Sequence, residues 1–204
     1  MRNSFEVRNL SVERGNRGII RELSLSLTGG NLVHLKGANG SGKTTLLRAL
    51  AGLIVPSQGE IFWNDSNINK NIFFQSMLNY VSHSLGLAGE LTTLENLSFL
   101  RSISKKTLNK TIEVSLETMD LKSFQHCRTA ILSAGQRQRA SLAQLLLFDC
   151  PLWLLDEPFS SLDAQSCSVI ESLIDDHISN GGIAIVASHQ KFQSSTVQQI
   201  LELQ

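Results

Sequence analysis

The stretch GANGSGKTTLL, residues 37–47, lies between a short apolar run, NLVHLKG, and a leucine-rich continuation. It fits G-x-x-x-x-G-K-[ST], with Gly37, Gly42, Lys43 and Thr44 at the fixed positions. Glycines there let successive backbone N–H groups turn toward phosphate oxygens, the lysine reaches the terminal phosphates, and the hydroxyl can ligate Mg²⁺. The pattern is diagnostic only between a strand and a helix, and that is its context here. Gly37, Ala38, Asn39, Gly40, Ser41, Gly42, Lys43, Thr44 and Thr45 are therefore the candidate phosphate loop, and the chain is committed to an α/β fold.

Residues 4–28 alternate apolar and polar, most plainly in ELSLSLTGG, and GEIFWN repeats the pattern, which predicts half-buried antiparallel strands forming a β lobe. Leu46, Leu47, Leu50 and Leu53 fall on one helical stripe ending near Gly52 and Pro56. From about residue 91 to 128, LTTLENLSFL and TLNKTIEVSLETMDL have helical period, which predicts a helical insertion. A helix at about 134–148, the strand LWLLD, a helix from about 163 to 179 and the strand IAIVAS complete the order. Strand–helix alternation implies a mostly parallel sheet with right-handed crossovers. The expected organisation is one domain over residues 1–204, with a helical subdomain at about 88–148.

LWLLD delivers Asp156 and Glu157 to the C-terminal end of a strand, where open α/β sheets place their ligands. Asp156 can hold Mg²⁺ directly or through water, and Glu157 can orient and deprotonate an attacking water.

A second anion site is written in LSAGQRQRASLAQLLL: Ser133 and Gly135 sit at a helix start, where a hydroxyl and free N–H groups meet the positive end of the dipole. One nucleotide does not need two such sites from one chain. The stretch resembles the signature of ATP-binding cassette (ABC) ATPases, with Ala134 replacing the usual second glycine, and LLDEP, SLD and SHQ follow in the family's order. The resemblance covers essentially the whole chain. It implies ATP and Mg²⁺ as ligands and a head-to-tail homodimer in which Ser133, Gly135 and Gln136 of one protomer close over ATP held by Lys43 of the other. It also implies that Asp163 communicates between sites, and that His189 contacts the γ-phosphate and holds Glu157 and water in line.

Within that superfamily the chain resembles the haem-exporter ATPases of cytochrome c maturation, through YVSHSLGLAGELTTLENLSFL, the signature stretch and PLWLLDEPFSSLD. This implies a peripheral subunit on the cytoplasmic face of the inner membrane, bound to integral membrane transporter subunits, whose ATP hydrolysis drives haem delivery or release of a haem-chaperone complex. Export of another cargo, or a soluble role in repair or translation, are the rival readings. Repair members insert long coiled coils between phosphate loop and signature, and translation members carry two cassettes; neither feature is in this sequence.

Two positions depart from the family pattern. His83 stands where a glutamine is usual; a neutral imidazole offers one acceptor nitrogen to Mg²⁺ or water and loses it on protonation, near about pH 6.5 for an ordinary histidine. His83 is thus either a metal-side switch or a packing residue. The hairpin SVERGNRGII lacks the usual aromatic, and Arg14 either stacks on adenine or is a solvated hairpin residue.

Lys plus Arg and Asp plus Glu are each 18, so no basic footprint for nucleic acid exists. The N-terminal stretch has acidic Glu6 and Glu13 and no apolar h-region, so no cleaved leader is expected. Cys127, Cys150 and Cys167 have no metal or disulfide spacing, and Cys150–Pro151 or His126 with Cys127 give haem ligation little support.

Overall fold

The computed structural model describes residues 3–15, 17–189 and 199–203. Two sheets are built in chain order from β1 (Ser4–Arg14), β2 (Arg17–Thr28), β3 (Leu32–Gly37), α1 (Lys43–Leu50), β4 (Gln58–Trp63), β5 (Ser66–Asn67), β6 (Leu78–Val81), α2 (Thr93–Ile103), α3 (Ile112–Thr118), α4 (Ala134–Leu142), α5 (Gln144–Leu147), β7 (Leu152–Asp156), α6 (Ala164–Ser179), β8 (Ile183–Ala187) and β9 (Gln199–Leu203). The antiparallel sheet has the order β2-β1-β4-β5, and the second, wholly parallel, has the order β6-β7-β8-β3-β9. This is the α/β arrangement expected from the alternation.

β7 and β8 are buried at every position, the signature of a sheet covered on both faces. One face, with Leu152, Leu154, Ile183 and Ile185, packs on α1 and the antiparallel sheet. The other, with Trp153, Leu155, Ala184 and Val186, packs on α6 and the helices between β6 and β7. Because the strands are parallel, the C-terminal ends of β3, β6, β7 and β8 open on one edge.

Three details differ from the sequence expectation. Gly52, at φ +71°, closes α1 behind Ala51, so Leu53 leaves the stripe and is 58% exposed. The helix expected over 134–148 breaks at Ala143 into α4 and α5, and the carbonyls of Leu146 and Leu147 accept from the N–H groups of Lys110 and Asn109. β9 was not anticipated: an edge strand with no buried residue gives no hydrophobic alternation to read.

Candidate functional site: a nucleotide cleft at the strand ends

The loop from Gly37 carries the chain from β3 into α1. Gly42 is the N-cap of α1 at φ +100°, where an added Cβ would lie 2.5 Å from Ile19 Cγ2, so both conformation and packing require glycine. The start of α1 has no side-chain cap, whereas α2, α3, α4 and α6 are capped by Thr92, Thr111, Ser133 and Asp163. Its first N–H groups are thus left for an external anion. Lys43 is buried and donates to the carbonyls of Gly37 (2.8 Å) and Ala38 (3.3 Å). Ser41 braces the turn by donating its N–H to the Ala38 carbonyl.

Thr44 ties this loop to β7, its hydroxyl donating to Asp156 Oδ2 at 2.7 Å. Asp156 Oδ1 is buried and has no hydrogen-bond partner among the described residues. A buried carboxylate oxygen without a donor is costly unless a cation supplies the partner, so Thr44 and Asp156 fit a hard divalent ion with oxygen ligands.

Glu157 follows at φ +52°, a region that L residues rarely visit. Its Oε1 is 3.7 Å from Lys43 Nζ, and its Oε2 is 2.9 Å from His189 Nδ1 and 3.4 Å from the His189 N–H. The carboxylate is 12% exposed and the imidazole 56% exposed. A carboxylate held between an ammonium and an imidazole at the mouth of a cleft can orient and accept a proton from water. The remainder of the SHQ stretch, Gln190, lies outside the described residues.

Arg14, Asn39, Gly40, Gly42, Lys43, Thr44, Thr45, His83, Asp156, Glu157 and His189 line one open cleft of about 440 Å³, together with Ile19 and Ser160. Ser133, Gly135, Gln136 and Asp163 do not line it. Ser133 and Gln136 form a reciprocal capping box: Gln136 N–H donates to Ser133 Oγ at 3.2 Å and Ser133 N–H to Gln136 Oε1 at 2.9 Å. A Cβ on Gly135 would lie 2.7 Å from the Ser161 carbonyl, so this glycine lets α4 approach the turn after β7. Asp163 caps α6 by accepting from Ser166 N–H at 2.7 Å, and that bond holds its carboxyl below the usual range.

His34 was not singled out from the sequence. Buried on β3, its Nε2–H donates to the Ser188 carbonyl at 3.1 Å, next to His189, and burial lowers its pKa. A histidine inside an apolar strand was the available signal. Cys150 is buried, its thiol donates to the Ser76 carbonyl at 3.6 Å, and desolvation pushes its pKa up to about 11.

Residues 20–160 match the ABC transporter family. The chain is 39% identical to the cytochrome c biogenesis ATP-binding export protein CcmA of Haemophilus influenzae, over 96% of this chain and 93% of that protein. It is 41% identical to the protein of the same name from Vibrio cholerae, over 91% of each. In fold it is similar to an ABC transporter ATP-binding protein from Pyrococcus furiosus, with TM-score 0.83, 25% identity and coverage of 98% and 97%. A dimeric ATP-binding cassette solved in a post-hydrolysis state with ADP and phosphate superposes with TM-score 0.86 at 22% identity, covering 98% of this chain and 94% of that one. The chain belongs to the ABC transporter family and is an ATP-binding, ABC-type ATPase subunit of the CcmA type.

Proposed function

We propose that this chain hydrolyses ATP to power haem export or delivery, or release of a haem chaperone, in cytochrome c maturation. The observation that carries the catalytic part is the meeting in one cleft of the Lys43 loop, the Thr44–Asp156 pair and the Glu157–His189 pair. The α1 N-terminus and Lys43 bind the phosphates of ATP, Arg14 supports the adenine, and Glu157 accepts the proton of the attacking water while His189 holds the carboxylate. Thr44 and Asp156, with His83 at the cleft wall, hold Mg²⁺, which when bound neutralises phosphate charge.

Ser133, Gly135 and Gln136 serve the nucleotide of a second copy in a head-to-tail dimer, since they lie outside their own chain's cleft at a capped helix start. Residues 1–204 act as one ABC domain in which the helical stretch at about 88–148 is a subdomain. No helix among the described residues is long and apolar enough to cross a membrane, so the membrane part falls to partner subunits. A groove lined by Leu87, Leu97, Phe99, Leu100 and Ile103, with Phe99 57% and Ile103 60% exposed, supports such docking from the cytoplasmic face.

The relatives' names, cytochrome c biogenesis ATP-binding export protein, favour a role in cytochrome c biogenesis over export for another process. The test is complementation: in cells lacking this subunit, wild-type chain should restore holocytochrome c and Glu157→Gln should not. Restoration of another exported substrate with no change in cytochrome c would overturn the cargo.

A further inference from the structure

We infer that Gln138 is a positioning residue for Glu157, holding the catalytic turn of its own chain to the signature helix. Gln138 is 5% exposed on α4, and its Nε2 donates to the carbonyls of Glu157 (3.3 Å) and Pro158 (3.0 Å). Two carbonyl partners require the amide nitrogen at that end of the side chain.

The turn needs such an anchor. Glu157 has φ +52° and precedes a proline, whose ring restricts the backbone before it. A conformation of this kind persists only where neighbours over-determine it. Three neighbours do so. Glu157 donates its N–H to the Ala187 carbonyl at 2.8 Å, and its own carbonyl accepts from Ser160 N–H at 3.1 Å as well as from Gln138. The first two bonds are backbone to backbone; Gln138 adds a side-chain hold on the Glu157 peptide from which the carboxylate departs, and Lys43 and His189 meet the carboxylate itself.

The same helix meets the turn a second time, where the Gly135 backbone closes on the Ser161 carbonyl. Residues 157–161 are thus clasped along one face of α4, whose capped N-terminus carries Ser133. A shift of that N-terminus is passed to the 157–161 turn through the Gln138 side chain and the Gly135 backbone contact.

This inference rests on the assignment of Glu157 as the base, and the experiment separates the two. Steady-state phosphate release and equilibrium ATP binding would be measured for wild type, Gln138→Met, Glu157→Gln and the double variant, in the assembly in which the wild type turns over. Gln138→Met should lower kcat on the order of tenfold or more, because small misplacements of a catalytic group are costly, while ATP affinity stays within about twofold. The double variant should turn over no more slowly than Glu157→Gln alone, since the positioned group is already gone.

Gln138→Glu keeps the side-chain length and regains a donor only when protonated, so its kcat relative to wild type should rise as the pH falls. A wild-type kcat in Gln138→Met, a further loss in the double variant, or a pH-independent ratio for Gln138→Glu would each overturn the role of Gln138. Wild-type turnover in Glu157→Gln would instead remove the base assignment beneath it.

Discussion

His189 Nδ1 and Glu157 Oε2 lie 2.9 Å apart, while the other carboxylate oxygen faces Lys43 at 3.7 Å. One carboxylate therefore joins the buried lysine of the glycine loop to the half-exposed histidine at the cleft mouth. Glu157→Gln preserves the shape and removes only the base, so ATP binding should survive and kcat should fall by about 10²–10⁴. Lys43→Ala removes the phosphate-binding cation and should weaken ATP binding itself. Nucleotide titration beside phosphate release separates the two; equal turnover in Glu157→Gln and wild type would sink the assignment.

Ser133 and Gly135 should fail in different ways although they are two residues apart. Ser133 is an N-cap at the protein surface, so Ser133→Arg should abolish turnover by blocking the partner's nucleotide, leave ATP binding by the monomer intact, and cost about 1 kcal/mol of helix capping. In Gly135→Ala the new methyl meets the Ser161 carbonyl, and the fold itself should lose about 1–3 kcal/mol. Thermal melts of the two variants should therefore differ, with Gly135→Ala the lower. A Gly135→Ala protein as stable as wild type would show that the 157–161 turn yields freely.

Much of this was legible because burial on both faces writes itself into sequence: LWLLD and IAIVA are strands with no polar interruption, and the strand ends locate Asp156 and Ser188. The loop GANGSGKT was legible because its glycines, its lysine and its threonine each have a conformational or chemical reason to be there. What escaped was decided by contacts distant in sequence. The leucine-rich run after Gln138 reads as one helix, yet Lys110 and Asn109 take its last carbonyls. Gly135 reads as a ligand for phosphate, and its packing against Ser161 has no local trace. Gln138 is one polar residue in a polar stretch, and only its burial reveals its two acceptors.

His177 makes stability depend on pH. Its ring stacks on Trp153 with centroids 3.9 Å apart, its Nε2–H donates to the Ile183 carbonyl at 3.2 Å, and burial pushes its pKa down to about 4. The unfolded chain binds this proton below about pH 6.5 and the folded chain does not until about pH 4. Stability is therefore fully present above about pH 6.5 and is lost as the pH falls toward 4, by about 2–3 kcal/mol from this group. His177→Phe keeps an aromatic ring on Trp153 and cannot titrate. Denaturant midpoints measured from pH 7 to pH 4 should fall more steeply for wild type than for His177→Phe; parallel curves would reject the linkage.

Arg14 ends β1 directly opposite Arg17 across the hairpin, and it lines the nucleotide cleft. Two like charges facing each other across a strand pair are mildly unfavourable, so this arrangement needs a reason other than hairpin stability. A guanidinium plane over adenine supplies one, worth on the order of 1 kcal/mol. Arg14→Ala should therefore weaken ATP binding by about fivefold, leave kcat nearly unchanged, and leave the melting temperature equal or slightly raised as the repulsion is relieved. Arg14→Tyr should keep the affinity, because a ring can stack where the guanidinium did. If Arg14 were only a solvated hairpin residue, Arg14→Ala and wild type would bind ATP equally, so comparing the affinities of the three proteins decides the role.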